Sequence, residues 1–153
     1  MESYGRCVVM DLPFERGLAE TIEALRKEGI DLVGRLDVRE YLARTLQHDF
    51  RQYVLLEAVA PRVTLDALCQ DLGVGAILPI TIVVFELPSG ETAVVVSEPF
   101  GSLVSDQEWR RTAPTLAIIA DGAAEQLARA LGRLQHAARR GGSASAVAIG
   151  QVA

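Results

Sequence analysis

Two apolar, β-branched runs frame a short turn and decide the fold of this 153-residue chain: ILPITIVVFEL at residues 77–87 and TAVVVS at residues 92–97. The connection between them is Pro88-Ser89-Gly90-Glu91. Two strand-like runs joined by a short turn that contains glycine are typical of a β-hairpin. Valine, isoleucine or another apolar residue fills nearly every position, so both faces of this hairpin are apolar and both need to be covered.

Upstream of the hairpin, three predicted strands at residues 5–12, 30–36 and 51–60 alternate with three predicted helices. Pro13 suits the first turn of the first helix, and Gly29 suits its C-terminal end. Asp37 followed by Glu40 predicts a capped second helix, and Pro61 opens a third. Helical spacing predicts the core-facing residues of these helices: Phe14, Leu18, Ile22 and Leu25 in the first, Val38, Tyr41, Leu42 and Leu46 in the second, and Leu65, Leu68, Cys69 and Leu72 in the third.

Downstream of the hairpin, Ser105 with Glu108 matches a capping box, and Pro114 marks a new start. The spacing of apolar residues then predicts a long C-terminal helix from Thr115 to about His136, with the stripe Leu116, Ile119, Ala123, Leu127, Leu131 and Leu134. We therefore expect an α+β fold in which a curved, mostly antiparallel β-sheet carries helices on one face. Residues 1–140 form a single domain, and residues 141–153, which begin Gly-Gly-Ser, form a flexible tail.

Charge and hydropathy exclude several classes of function. Lys and Arg number 15 against 20 Asp and Glu, a net charge of −5, so we expect no nucleic-acid partner. The longest apolar stretch, residues 77–85, is too short to cross ~30 Å of hydrocarbon, and the N-terminus does not resemble a secretory signal. Cys7 and Cys69 lie among apolar neighbours. We expect a cytoplasmic protein with two buried, reduced thiols, a Cys7–Cys69 disulfide being the less favoured alternative.

Metal chemistry is also disfavoured by the sequence. His48 and His136 lie far apart, and no closely spaced pair of Cys or His ligands is present. We expect no metal and no cofactor.

One carboxylate within a predicted strand is the strongest candidate for chemistry. Glu57 shares a strand face with Tyr53, and if helices cover that face the carboxylate needs a partner, for which Arg35 and Arg51 are candidates. If the face is solvated, Glu57 is an ordinary surface charge. The sequence thus predicts a ligand-binding site formed by Arg51, Tyr53, Glu57 and Thr81, and no catalytic residue.

An ordered set of short motifs resembles a known family. The motifs are Gly29-Ile30, Asp37-Val38, DFRQY at residues 49–53, Ala58 with Pro61, Ala67-Leu68 and GAILP at residues 75–79. The chain is similar to the bacterial and archaeal domain-of-unknown-function family 302 over roughly residues 14–134. The resemblance implies a small α+β domain, commonly dimeric, with no established activity. It also implies two cysteine positions, which hold Val59 and Ile80 in this chain.

We favour a non-catalytic, homodimeric module that binds a small molecule or a protein. The alternative is an enzyme that uses Glu57 as a general base with Tyr53 and Arg51 as helpers. A third possibility is an assembly protein whose product is the dimer itself. A sheet with helices on one face leaves the other face bare, so a two-fold copy is expected to cover it, with Val84, Val94 and Val96 near the contact.

Overall fold

A computed structural model of the protein describes residues 4–141. It contains five strands, which form one sheet, and five helices. The strands are β1 (Arg6–Met10), β2 (Asp31–Asp37), β3 (Tyr53–Val59), β4 (Ile80–Glu86) and β5 (Thr92–Val96). The helices are α1 (Phe14–Lys27), α2 (Val38–Leu46), α3 (Pro61–Leu68), α4 (Gln107–Thr112) and α5 (Pro114–Gly141). Two 3₁₀ segments, Leu72–Ile77 and Gly101–Ser105, complete the chain. Gly141 ends α5, and the rest of the predicted tail lies outside the described residues.

All four strand pairings are antiparallel, and the strand order is β1-β5-β4-β3-β2. The predicted hairpin is present as β4 and β5, with Val83 opposite Val95. Gly90 in its turn has φ +87°, a left-handed conformation that glycine adopts without steric cost. The predicted α+β architecture with a long C-terminal helix is confirmed.

The main core lies between one sheet face and helices α1 and α5. In β3, Val54, Leu56 and Ala58 are all fully buried and alternate with half-buried residues. In α1, Leu18 and Leu25 are buried, and in α5 the residues of the predicted stripe are buried apart from half-buried Ile119. Val84, Val94 and Val96 also lie in this core, at 0%, 0% and 1% exposure, so placing them near a dimer contact was wrong.

The approach of α1 to β5 is unusually close at one glycine. A Cβ added to Gly17 would lie 2.5 Å from both Cβ and Cγ2 of Thr92 and 2.6 Å from its Oγ1. Thr92 is itself fixed, because its hydroxyl donates a 2.8 Å hydrogen bond to the carbonyl oxygen of Leu12. Only glycine fits at position 17 with the helix at this distance.

Local signals account for the starts of helices α2, α4 and α5. The Asp37 side chain accepts a hydrogen bond from the Glu40 amide at 3.0 Å, as predicted, and Pro114 is the first residue of α5. The capping prediction for Ser105 was wrong by one residue. Asp106 caps α4 and accepts from the amides of Glu108 and Trp109.

The core-facing stripes predicted for α2 and α3 were wrong. No residue of α2 is buried, and Tyr41 and Leu46 are 44% and 68% exposed. In and after α3, Leu65 and Leu72 are exposed, and so is Cys69, which was expected to be buried. Helical periodicity identified residues that share a face, but no neighbouring element covers those faces within residues 4–141.

Strand β2 is an edge strand and is interrupted by a bulge. Leu32 pairs with Ala58 and Gly34 with Glu57, so Val33 is an extra residue without a partner in the ladder. The sequence predicted a strand over residues 30–36 with one face buried, whereas most residues of β2 are exposed. The reason is that β2 lies outside the main core, since α5 packs over the opposite edge strand, β1.

Candidate functional site

The sheet face turned away from α1 and α5, called the open face here, carries the predicted site residues. Side chains on a strand alternate between the two faces, so the open face is identified by the residues that alternate with the core. The cluster of buried and half-buried apolar residues on this face consists of strand residues and Leu87. It includes no helix residue described in the structure. On strands β1, β3, β4 and β5 the open face comprises Cys7, Val9, Tyr53, Leu55, Glu57, Val59, Thr81, Val83, Phe85, Ala93 and Val95.

Aromatic side chains occupy one end of the open face. Tyr53 and Phe85 are direct cross-strand partners, and their rings stack with centroids 5.6 Å apart. Phe50 lies 6.0 Å from Tyr53, and His48 lies 6.5 Å from Phe50. Burial against these rings raises the pKa of the Tyr53 phenol. This end offers flat apolar surface with one neutral hydroxyl group.

A polar row occupies the other end of the open face. The Thr81 hydroxyl donates a 3.2 Å hydrogen bond to Oε1 of Glu57, and the Thr81 amide donates to Oγ of Ser97 at 3.0 Å. Gly34 lies opposite Glu57, where an added Cβ would come within 3.2 Å of the Glu57 Cβ. The partner of Glu57 is therefore Thr81 and not Arg35 or Arg51, the two partners considered from the sequence.

Aliphatic side chains and a thiol fill the middle of the open face. Val83, Val95 and Cys7 follow one another across β4, β5 and β1, because Val83 pairs with Val95 and Val95 pairs with Cys7. All three are half-buried. Burial raises the pKa of the Cys7 thiol, which keeps it protonated at neutral pH. The centre of the open face is thus uncharged.

The four predicted ligand-binding residues lie on and beside strands β3 and β4 and are spread over the sheet. Tyr53 and Glu57 lie four residues apart on β3, about 13 Å at ~3.3 Å per residue. Arg51 is half-buried and precedes β3 by two residues. A cleft of about 600 Å³ does exist elsewhere, between α1 and α5, and none of these four residues lines it. The open face can bind a flat surface, whereas a small molecule fits the cleft better.

The cleft is a feature that the sequence reasoning missed. Its lining combines residues of α1, such as Arg16 and Lys27, with residues of α5, such as His136 and Arg140. These residues are 109 or more positions apart in the chain, so only the packing of the two helices brings them together. The available sequence signal is the group of basic residues near the end of α5, Arg133, Arg139 and Arg140.

Neither histidine joins a metal-binding cluster. Among residues 4–141, no group of three or more His, Cys, Asp or Glu side chains is arranged to hold a metal ion. The same residues include no helix that is both long and apolar enough to span a membrane.

Comparisons with known proteins agree with the architecture. The model of a family described as "Domain of unknown function DUF302" matches residues 7–134. A crystal structure of an uncharacterized conserved DUF302 protein from Bacillus stearothermophilus superimposes with a TM-score of 0.71 at 26% sequence identity. The alignment covers 87% of this chain and 99% of that one. No curated protein matches the sequence.

Proposed function

Since this chain belongs to the DUF302 family, a family of domains of unknown function, we propose its function from its geometry: a non-catalytic module that binds a second copy of itself through the open face. The observation that carries the proposal is the composition of that face. Ten of its eleven residues on β1, β3, β4 and β5 are uncharged, eight of the eleven are half-buried, and no helix residue described in the structure belongs to their cluster. A contiguous apolar patch of a few hundred Å² often marks an interaction site.

The open face supplies about half of the area that a stable interface needs. Its four strands β1, β3, β4 and β5, spaced ~4.8 Å apart and each about six residues of ~3.3 Å, give a projected area of roughly 380 Å². A standard interface removes about 800 Å² from each partner. Leu36 of β2 lies opposite Leu55 and is 42% exposed, so this edge of the sheet can supply further apolar area. In the dimer Leu36 acquires the cover that it lacks within one chain.

The distribution of polarity also suits a two-fold interface. Interfaces have an apolar centre with aromatic anchors and a polar rim. The open face has Val83 and Val95 at its centre, Tyr53 toward one end and the Glu57–Thr81 pair toward the other. Its single charge, Glu57, lies toward one end and accepts a hydrogen bond from the neutral Thr81, so stacking two copies leaves this charge near the polar rim and away from the apolar centre.

Carboxylate general acid–base chemistry at Glu57, the alternative considered from the sequence, is not favoured. Catalysis of this kind requires a base within hydrogen-bond reach of a bound substrate in a site that excludes water. Glu57 lies on a sheet surface rather than in a cleft, and its hydrogen-bond partner in the structure is Thr81.

The proposal is tested by measuring the mass of the protein in solution and by introducing a charged residue into the open face. Sedimentation equilibrium at micromolar concentration should give twice 16.5 kDa. Val83→Lys places a charge at the centre of the open face and should yield monomers. Leu72→Lys is the matched control, because Leu72 is 83% exposed in the 3₁₀ segment Leu72–Ile77 and lies off the sheet. A wild-type mass of 16.5 kDa that does not change with concentration would refute the proposal.

The two thiols give a second measurement on the wild-type protein. Cys69 is exposed and should react at once with a disulfide reagent at every protein concentration. Cys7 lies on the open face, so its reaction should slow as the protein concentration rises and the dimer forms. Equal concentration dependence of both thiols, or none for Cys7, would contradict the proposed interface even where Val83→Lys fails to fold.

A further inference from the structure

The cleft between α1 and α5 lies on the opposite side of the sheet from the open face, and its chemistry is different. The two helices run antiparallel, because Glu28 at the end of α1 pairs with Arg129 and Arg133 in the middle of α5. Arg16, in the first turns of α1, and Arg140, in the last turn of α5, therefore line the same end of the cleft. A volume of about 600 Å³ is that of a small-molecule site.

The floor of the cleft is apolar. Leu134 is 2% exposed and Ala24 is 5% exposed, and half-buried Leu12 and Ala137 extend this surface. Such a floor can bury a short hydrocarbon segment at about 0.8 kcal/mol per methylene group removed from water. The apolar floor offers no hydrogen-bond partner to a polar group of a ligand, so residues of the rim have to bind that group.

The rim is cationic although the protein as a whole is acidic. Four Lys or Arg residues and two Glu residues line the cleft, a balance of +2 in a chain of net charge −5. The glutamate on α1 nearest Lys27 is engaged, because Glu23 pairs with Lys27 at 3.5 Å and with Arg26 at 2.9 Å. Arg133 is held by Glu28 at 2.6 Å.

Two arginines of the rim, Arg16 and Arg140, have no carboxylate partner among the described residues 4–141. Within residues 4–141, no carboxylate oxygen lies within 4 Å of the guanidinium group of Arg16 or of Arg140. A guanidinium group presents several donors that match a carboxylate in geometry. Both arginines stand at one end of an apolar floor, so the cleft offers one anionic and one apolar subsite.

We propose that this cleft binds a small organic carboxylate, with its hydrocarbon part on Ala24 and Leu134 and its carboxylate between Arg16 and Arg140. Glu20 also lines the cleft, one helical turn after Arg16, and its charge opposes the bound anion. The site is separate from the open face, so it does not depend on dimer formation.

The test is a titration of the uniformly ¹⁵N-labelled protein with octanoate, followed by amide chemical shifts. We expect saturable shifts confined to α1 and α5 around Ala24, Leu134 and Ala137. Two probes isolate the subsites: 1-octanol lacks the charge, and inorganic phosphate lacks the hydrocarbon. Each should bind roughly tenfold or more weakly than octanoate, because 1-octanol loses a charge-assisted hydrogen bond and phosphate loses the entire chain, of which two buried methylene groups already account for about tenfold.

Two substitutions in the cleft are expected to change octanoate binding in opposite directions, which makes the test specific. Arg140→Gln should weaken octanoate binding roughly tenfold, and Glu20→Gln should strengthen it, because one removes the attractive charge and the other the repulsive one. Arg62→Gln is the matched control on exposed α3, where Arg62 pairs with Asp66, and should bind octanoate as the wild type does. Shifts outside the cleft, equal binding of 1-octanol, or equal weakening by Arg62→Gln would overturn the proposal.

Discussion

Replacing Gly17 by alanine should destabilise the protein, although alanine is the better helix former. In an unobstructed helix interior, Gly→Ala contributes about 1 kcal/mol of stability. At position 17 the new Cβ would lie 2.5 Å from two carbon atoms of Thr92, whereas carbon atoms at optimal separation are ~3.5–4.0 Å apart. Helix α1 therefore has to move away from β5 by about 1 Å or more.

The cost of that movement can be worked out from the contacts it disturbs. Overpacking of a core costs about 1–3 kcal/mol, and loss of the Thr92–Leu12 hydrogen bond adds about 1 kcal/mol. After the gain in helix propensity is subtracted, the expected net loss is about 2 kcal/mol. In a chain of this length such a loss lowers the melting temperature by about 4–8 °C.

Gly132→Ala is the matched control for this prediction. Gly132 is also inside a helix, α5, but an added Cβ would meet no atom within 4 Å. We expect this variant to be more stable than the wild type by about 0.5–1 kcal/mol. Urea unfolding followed by circular dichroism, at one protomer concentration, measures both. A Gly17→Ala protein as stable as the wild type, or equal destabilisation of both variants, would refute the close approach of α1 to β5.

Three further substitutions test the core, an ion-pair cluster and a helix cap. Leu131→Ala should cost about 2–5 kcal/mol in urea unfolding, as expected for a buried leucine of α5. The two arginines paired with Glu28 hold its pKa below the ordinary value of about 4.3, so its stabilising effect is present above that pH and is lost as pH falls. The stability difference between the wild type and Glu28→Gln should therefore vanish in acid, whereas Glu125→Gln, on exposed α5 surface, should show no such trend. Asp106→Ala should cost about 0.5–2 kcal/mol in thermal unfolding and Ser105→Ala almost nothing, because Asp106 caps α4.

The parts of the fold that were predicted correctly are those where a local signal and its surroundings agree. The β4–β5 hairpin combines apolar strands with a turn at Gly90. It lies between β1 and β3 in the middle of the sheet, where most of its apolar residues are buried. Helix α5 begins at Pro114 and buries its stripe against the sheet. For the hairpin and for α5, the apolar pattern in the sequence was sufficient to predict the element, because the structure buries its apolar side chains.

The failures concern partners that a single sequence does not specify. Leu42 and Leu46 share a helical face, but whether another element covers that face depends on the position of α2 in the fold. The Glu57–Thr81 hydrogen bond depends on β3 lying beside β4 in one register, 24 residues apart in the chain. The cleft depends on α1 and α5 being antiparallel neighbours, which no local pattern encodes.

The bulge at Val33 has a consequence for solubility. A seven-residue edge strand with exposed Leu32, Val33 and Leu36 is a template on which another chain can add a strand. The extra residue breaks the even spacing of the free amides and carbonyls on that edge, so an incoming strand finds no continuous ladder. Removing Val33 would make the edge regular while leaving Leu36 opposite Leu55. The bulge thus hinders strand addition along this edge, which is one route to fibrous aggregation.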